Sequence, residues 1–231
     1  MLNNMDWLIE NIKNKNSFAF SRFNDGEMMA IEKVGSVVAR GDQYVDTTLS
    51  EALKKSILHK QKNYYIGIPC SSCYLRYNTL AKKLIEDYEH ITHAVVTTNR
   101  NWKKFIEEFP KAMAGREMIW IGGKDQNIEP LKNMGLDIIN TVLVPQRNSW
   151  DYYAKIKQKV PQLFKKNQVV GISLGPTARV LAQEWFKENP EITFIDMGSN
   201  FDPFTRNVRH NCHKGWEETG FNLAAKCKEC N

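Results

Sequence analysis

The chain has 231 residues, 42% hydrophobic and 25% charged, a composition typical of a soluble globular protein with one sizeable core. No apolar run reaches the roughly 18 residues of a transmembrane helix, and the N-terminus lacks the pattern of a secretory signal, so we expect a cytoplasmic protein without a transmembrane segment. The formal net charge of +6 suits an anionic ligand, but the charge is too small and too scattered to indicate nucleic-acid binding.

Apolar runs of strand length alternate with helix patterns along most of the chain. The runs are continuous rather than alternating with polar residues, which is typical of strands buried on both faces. The predicted strands are 17–21, 64–68, 93–98, 117–122, 137–144, 168–174 and 192–197. The predicted helices between them are 48–59, 75–89, 99–113, 125–134, 149–164 and 176–188, with a further helical run that begins near residue 28.

This order of elements predicts a Rossmann-like α/β fold, with a mostly parallel sheet covered by helices on both faces. We expect a single domain over residues 1–200, followed by an irregular C-terminal tail, 201–231, packed on the core. In such a sheet, ligands bind outside the carboxyl ends of the strands. Polar clusters that directly follow a predicted strand are therefore the candidates for a functional site.

The first cluster, RFNDGE, follows the first predicted strand. Asp25 and Glu27 are two carboxylates two residues apart, and oxygen ligands of this kind bind Mg²⁺ or Mn²⁺. Gly26 would let the backbone approach a substrate closely, Asn24 is a further candidate for a substrate contact, and Arg22 could pair with a phosphate. The alternative is that Asp25 caps the following helix and Glu27 favours its first turn.

The second cluster, SLGPTA, follows the predicted strand 168–174. Gly175 ends the strand, Pro176 suits the first position of a helix, and Thr177 supplies a hydroxyl in the first turn. Together with the N–H groups at a helix start, these residues could cradle a phosphate. The alternative is an ordinary turn between a strand and a helix.

Two weaker clusters, IGGKDQ and VPQRNSW, also follow predicted strands. Their residues with phosphate-binding or substrate-binding chemistry are Gly122, Gly123, Lys124, Arg147, Asn148 and Trp150. In the alternative interpretation, the glycines and the lysine occur by chance, and Asn148 or Ser149 caps a helix. Four polar clusters at strand ends would share one edge of the sheet, where they fit a nucleotide diphosphate with a metal ion.

Four segments of the chain resemble, in order, the motifs of the GT-D-fold glycosyltransferases: RFNDGE, PQRNSW, LGPTARVLA and FIDMGS. Members of that family typically have R-F-G-D-G-E near the N-terminus, a P-x-x-N-A-F-like stretch, and G-P-T-A-x-x-L-A before a final strand that ends D-I-G. The resemblance spans roughly residues 18–200. Asn24 stands where the family usually has glycine, and Ser149-Trp150 stands where it has the A-F pair.

The resemblance implies a metal-dependent glycosyltransferase of the hexosyltransferase type. Its donor would be a nucleotide-diphosphate sugar such as a UDP-sugar, and its acceptor a glycan, a glycoprotein or a lipid-linked molecule, with peripheral membrane association compatible with the latter. Asp25 and Glu27 would bind Mn²⁺ or Mg²⁺ beside the diphosphate, with Arg22 or Lys124 adding positive charge. The candidates for the catalytic base or for substrate contacts near the last strand are Asp196, Asp202, His210 and Glu217.

Five cysteines form two groups, Cys70 with Cys73 and Cys212 with Cys227 and Cys230. The spacing of Cys227 and Cys230 is a chelating one, and Cys212 with His210 or His213 could complete a tetrahedral zinc site. Another arrangement would use Cys70 and Cys73 to attach the tail to the core. The alternative to zinc is free thiols in a reducing cell.

Two other functions compete with sugar transfer. A phosphotransferase or nucleotide hydrolase would use the same edge of the sheet, but would need an activated hydroxyl or a P-loop, and neither pattern occurs. A zinc-stabilised nucleic-acid-binding protein would need a basic stripe with interleaved aromatic residues. The tail instead carries Glu217, Glu218 and Glu229 among its lysines.

Overall fold

The computed structural model describes Leu2 and residues 5–213, apart from the side chains of Arg40 and Asn211. The strands in chain order are β1 Ala19–Arg22, β2 Val37–Val38, β3 Gln43–Tyr44, β4 Tyr64–Ile68, β5 Ile91–His93, β6 Glu117–Gly123, β7 Asp137–Val144, β8 Val169–Ile172 and β9 Thr193–Asp196. The α-helices are α1 Asp6–Lys13, α2 Asp25–Glu32, α3 Thr47–Ile57, α4 Leu75–Ile85, α5 Trp102–Ala112, α6 Glu129–Asn133, α7 Tyr153–Lys159, α8 Thr177–Glu188 and α9 Asp202–Thr205.

Seven strands form one parallel sheet in the order β5-β4-β1-β9-β8-β6-β7, while β2 and β3 pair as a separate antiparallel hairpin. One face of the sheet packs against α2, α3, α4, α7 and α8. The other face packs against α1, α5 and α6 and contains Phe201. The prediction of a single α/β fold with helices on both faces is therefore confirmed.

Burial of the central strands explains why the sequence pattern was informative. All residues of β1, β4, β8 and β9 are buried, as continuous apolar runs predict. The bounds of β4 and β7 agree with the predicted strands. In the edge strand β7, Ile138 and Val144 are buried and the other residues are exposed or partly exposed.

The predicted strand 93–98 is wrong. The strand ends at His93, and the chain then turns, with the N–H of Val96 bonding the carbonyl of His93 at 3.1 Å and that of Thr98 bonding Val95 at 3.0 Å. The turns place Thr97 in the interior, where its hydroxyl contacts other polar groups. Apolar and β-branched composition alone does not distinguish such a buried turn from a strand.

Helix α1 and the β2–β3 hairpin have no counterpart among the predicted elements. The hairpin packs over the carboxyl edge: a Cβ on Gly26 would lie 3.9 Å from Val38 Cβ, and one on Gly175 would lie 3.5 Å from Ala39 Cβ. It therefore covers the loops that follow β1 and β8.

The boundary predicted at residue 200 stays a prediction. Phe201 belongs to the core, the N–H of Asn127 bonds the carbonyl of Thr205 at 2.7 Å, and His213 lies against the Trp102 ring with centroids 5.1 Å apart. Residues 214–231 lie outside the described residues. No helix in the described part of the chain combines the length and the apolar character needed to cross a bilayer.

We predict that Gly67→Ala destabilises the fold. Gly67 lies near the carboxyl end of β4, and a Cβ there would lie 2.9 Å from Ala94 Cα and 3.1 Å from Phe20 Cε2. Because the backbone must shift to accept the methyl group, the free energy of unfolding should fall by about 1–3 kcal/mol.

Chemical denaturation measures this change. Gly26→Ala is the matched control, since the nearest heavy atom to its Cβ is 3.9 Å away, and its stability should stay within about 0.5 kcal/mol of the wild type. Equal stability of the two variants would contradict the close approach at Gly67.

Candidate functional site

The loops after β1, β9 and β8 meet because these strands are neighbours in a parallel sheet. Asp196 is the last residue of β9, and its buried carboxylate is where the loops converge. One oxygen accepts the N–H of Arg22 at 3.1 Å, and the other accepts the N–H of Gly198 at 3.0 Å. Asp196 thus connects the carboxyl end of β1 with the loop that follows β9.

Arg179, in the first turn of α8, is the central cation of this edge. It is only 5% exposed. Its Nε lies 3.0 Å from Asp196 Oδ2 and donates to the carbonyl of Arg22 at 2.8 Å. Its Nη2 lies 3.1 Å from Glu27 Oε1, and its Nη1 donates to the carbonyl of Gly175. One guanidinium therefore contacts residues from three strand-end segments.

Arg22 is also buried, and its side chain does not face solvent. Its Nη1 lies 3.2 Å from Thr97 Oγ1 and 3.3 Å from Asn200 Oδ1, and its Nε lies 3.6 Å from Asp196 Oδ2. Gly198 leaves room for this guanidinium, because a Cβ there would come within 1.7 Å of Nη2. Arg22 thus holds the loop after β9, and its contact with a phosphate stays a prediction.

Asp25 and Glu27 lie in the first turn of α2 in different environments. Glu27 is 7% exposed; Oε1 pairs with Arg179, and Oε2 accepts the N–H of Asn24 at 3.0 Å. Asp25 is half-buried, and its carboxylate lies near enough to the Tyr74 hydroxyl to interact with it electrostatically. Burial, and then the Asp25 carboxylate, raise the pKa of Tyr74, so this hydroxyl stays protonated.

These environments decide how well the two carboxylates fit a divalent cation. Asp25 fits, because it is accessible and offers the hard oxygen ligands that Mn²⁺ and Mg²⁺ prefer. Each oxygen of Glu27 already has a protein partner. Among the described residues, no group of three or more His, Cys, Asp and Glu side chains is arranged to hold a metal. Substrate oxygens or water would have to complete the coordination of an ion at Asp25.

The Gly175 loop reaches the edge, but its neighbours face inward. Gly175 is partly exposed and has a positive φ of 51°, whereas Pro176 and Thr177 are buried. The Thr177 hydroxyl lies 2.8 Å from Ser149 Oγ. In this structure Thr177 has no exposed surface for a phosphate, and it instead connects α8 with the loop after β7.

In the cluster after β6, Gly122 is buried and Lys124 is exposed. A Cβ on Gly122 would collide with Gln126, whose side chain accepts from Trp120 Nε1 at 2.9 Å and donates to Ser173 Oγ at 3.0 Å. Gly122 therefore makes room for a buried hydrogen-bond chain. Lys124 remains available to an anionic ligand at the edge.

In the loop after β7, Arg147 has an 81% exposed side chain and lies 3.9 Å from Asp42. Asn148 has a left-handed backbone, with φ 49°; its N–H bonds the carbonyl of Asp42 at 2.6 Å, and its side-chain oxygen accepts the N–H of Tyr44 at 3.0 Å. Trp150 Nε1 donates to Thr48 Oγ1 at 2.8 Å. This loop therefore positions the β2–β3 hairpin.

Asp202 and His210 form a second polar group beyond β9. Asp202 is buried, with Oδ2 2.9 Å from His210 Nε2 and Oδ1 3.1 Å from Arg206 Nη1. Cys212 Sγ lies 3.9 Å from Ser199 Oγ. Three further candidates lie outside the described residues: the proposed zinc ligands Cys227 and Cys230, and the base candidate Glu217. The zinc site in the tail therefore stays a prediction.

Sequence reasoning missed Arg179, Asn200, Thr97, Gln43 and Ser173. Arg179 lies within LGPTARVLA, two residues after Thr177, and its place in the first turn of a helix at the carboxyl edge was an available signal. The hydrogen bonds of the other four depend on loop conformations that residue type and spacing do not specify.

A family model described as "Glycosyltransferase GT-D fold" matches residues 91–215, which is more than half of the chain. The matched segment contains β6 to β9 and α8, and it begins after Asp25 and Glu27. No curated protein matches the sequence.

Three solved structures have a similar fold. A structure described as a new glycosyltransferase, domain of unknown function 1792, from Streptococcus sanguinis has a TM-score of 0.67 and 16% identity, covering 87% of this chain and 83% of that one. A second, described as showing that this highly conserved domain has a distinct glycosyltransferase fold, has a TM-score of 0.66 and 15% identity, covering 96% and 86%.

The third, a selenomethionine-substituted structure of the same domain, has a TM-score of 0.66 and 16% identity, covering 85% of this chain and 78% of that one. At these identities the structures establish the fold alone. The family model carries the assignment further: this chain belongs to the GT-D fold glycosyltransferase family.

Proposed function

We propose that the protein transfers a hexose from a nucleotide-diphosphate donor, a UDP-sugar, to a glycan, glycoprotein or lipid-linked acceptor, with Mn²⁺ or Mg²⁺ as cofactor. The observation that supports this most is the joining of the loops after β1, β8 and β9 through Arg179, with the accessible carboxylate of Asp25 beside them. This is the edge where ligands bind in parallel α/β sheets.

In this proposal Asp25 holds the cation beside the Tyr74 hydroxyl. A divalent cation bound there would neutralise the negative charge that develops on the diphosphate as the donor bond breaks. Lys124 and Arg147 are exposed at the same edge and would attract the anionic donor.

Among the base candidates, Asp196 is buried with both oxygens bonded to protein groups, which leaves it unsuited to accept a proton from an acceptor. His210 is partly exposed and paired with Asp202. A carboxylate partner fixes the orientation of a histidine ring. We therefore propose His210 as the base, with Glu217 as the candidate outside the described residues.

The direct test is a panel of UDP-hexoses incubated with the wild-type chain, with and without Mn²⁺. We expect at least one donor to raise the melting temperature and to release UDP, with both effects larger when Mn²⁺ is present. No shift and no release with any nucleotide sugar would contradict the proposal. Peripheral membrane association and a cytoplasmic location stay predictions.

We predict that Asp25→Asn lowers metal-stimulated UDP release on the order of a thousandfold, because a neutral amide is a poor ligand for a hard cation. The melting temperature should change little, because the N-cap of α2 is Asn24, which the substitution leaves in place. The measurement is donor turnover at saturating Mn²⁺, together with thermal unfolding.

Asp46→Asn is the matched control for this prediction. Asp46 caps α3, and its side chain accepts the N–H of Leu49 at 2.7 Å, a bond that asparagine can also make. Turnover of this variant should equal that of the wild type. Near-normal turnover in Asp25→Asn as well would contradict a metal-binding role for Asp25, which is the first residue of α2 and not its N-cap.

A structural zinc ion, held by Cys212, Cys227, Cys230 and either His210 or His213, is an independent prediction about the tail, and only the arrangement with His213 is compatible with His210 as the base. Its competitor is a set of free thiols. Elemental analysis of protein purified without a metal-affinity tag separates the two: zinc ligation predicts about one equivalent, because a four-ligand site binds tightly, whereas less than about one tenth of an equivalent would remove it.

A further inference from the structure

Four buried side chains at the carboxyl edge, Arg22, Arg179, Glu27 and Asp196, form a group whose formal charges cancel. Arg179 belongs to both of the closest ion pairs, at 3.1 Å from Glu27 Oε1 and 3.0 Å from Asp196 Oδ2. Removing one member would leave a buried charge without compensation, which is strongly destabilising in proteins. The function of Glu27 follows from this charge balance.

Both side-chain oxygens of Glu27 already have partners in the protein. Oε1 is occupied by Arg179 and Oε2 by the N–H of Asn24. A cation bound to Oε1 would lie beside the guanidinium that already contacts this oxygen, and like charges repel strongly where solvent is excluded. The neighbouring carboxylate of Asp25 has no such cation among its described contacts.

Helix geometry separates the two carboxylates. Both residues belong to α2, and side chains two positions apart on a helix do not face each other. Glu27 faces the interior, and Asp25 is half-buried beside Tyr74. The short spacing in the sequence therefore does not place both carboxylates on one ion.

We infer that Glu27 is a positioning residue that neutralises Arg179, and that Asp25 is the carboxylate that serves the cation. Through Arg179, Glu27 holds the Gly175 loop and the end of β1 in place. The part of this inference that concerns the cation rests on the proposed function. The pairing of Glu27 with Arg179 is independent of it.

The test compares Asp25→Asn, Glu27→Gln, Arg179→Met and the double variant Glu27→Gln/Arg179→Met. The first readout is the melting temperature. The second is the Mn²⁺ dissociation constant with UDP present, which is measured from the electron paramagnetic resonance signal of free Mn²⁺. UDP release from the donor found for the wild type is the third readout. Glu129→Gln is the control for the charge change, because its partner Lys132 is an exposed neighbour on the same helix segment.

Asp25→Asn should raise the Mn²⁺ dissociation constant at least about tenfold, with little change in melting temperature. Glu27→Gln should do the reverse: a melting temperature lower by about 10 °C, and a dissociation constant within about threefold of the wild type. Glu129→Gln should alter neither, since exposed pairs contribute little to stability.

The double variant distinguishes a positioning role from ligation. It restores neutrality to the buried group, so its melting temperature should exceed that of either single variant. Removing Arg179 cannot restore a lost metal ligand. If Glu27→Gln fails to fold, the double variant supplies the Mn²⁺ measurement.

A Glu27→Gln or double-variant dissociation constant raised as far as that of Asp25→Asn would overturn the inference. The inference would also be overturned if the loss of melting temperature in the double variant equalled the sum of the losses in the two single variants. If wild-type protein binds no Mn²⁺ with UDP, the proposed function fails, and the stability comparison still decides whether Glu27 and Arg179 act as a pair.

Discussion

The bridge that Arg179 makes between Glu27 and Asp196 is the interaction on which the carboxyl edge depends. A buried guanidinium must have its charge compensated and its N–H groups bonded. Here the partners are two carboxylates and the carbonyls of Arg22 and Gly175, so the requirement is met only when the segments after β1, β8 and β9 lie in one arrangement. The electrostatic requirement of one residue thus fixes the backbone of three loops.

A second layer of contacts places the β2–β3 hairpin over this group. Gln43 Oε1 accepts the N–H of Trp150 at 3.2 Å, and Asn148 bonds backbone groups of Asp42 and Tyr44. The Ser149 hydroxyl, which lies deeper in the fold, hydrogen-bonds with the Thr177 hydroxyl and donates to the carbonyl of Leu174. The hairpin is therefore connected to α8 through the loop after β7. Many of the polar groups in the VPQRNSW cluster therefore hold the hairpin and α8 in place around the site.

The sequence predicted the sheet well because burial on both faces leaves a simple signal in the central strands. It also identified which loops reach the carboxyl edge, since loop position follows from strand order. Side-chain direction does not follow from strand order. Thr177 and Gly122 were expected to contact a phosphate, yet one bonds Ser149 inside the fold and the other makes room for Gln126. Arg179, in the helix pattern, resembled an ordinary polar helix position until tertiary contacts placed it.

The charge balance of the edge also bears on the need for a cofactor. The buried group of two arginines and two carboxylates is formally neutral, so it provides little net attraction for a diphosphate. Asp25 adds an accessible negative charge at the same place, and a carboxylate repels a phosphate unless a cation lies between them. A divalent ion shared by Asp25 and the donor would turn that repulsion into attraction. Lys124 and Arg147 lie at the surface, where solvent and salt would weaken their attraction for the diphosphate. In the proposed function, the charge of Asp25 is therefore reason enough for a metal ion, and Glu27 is not needed as a second ligand.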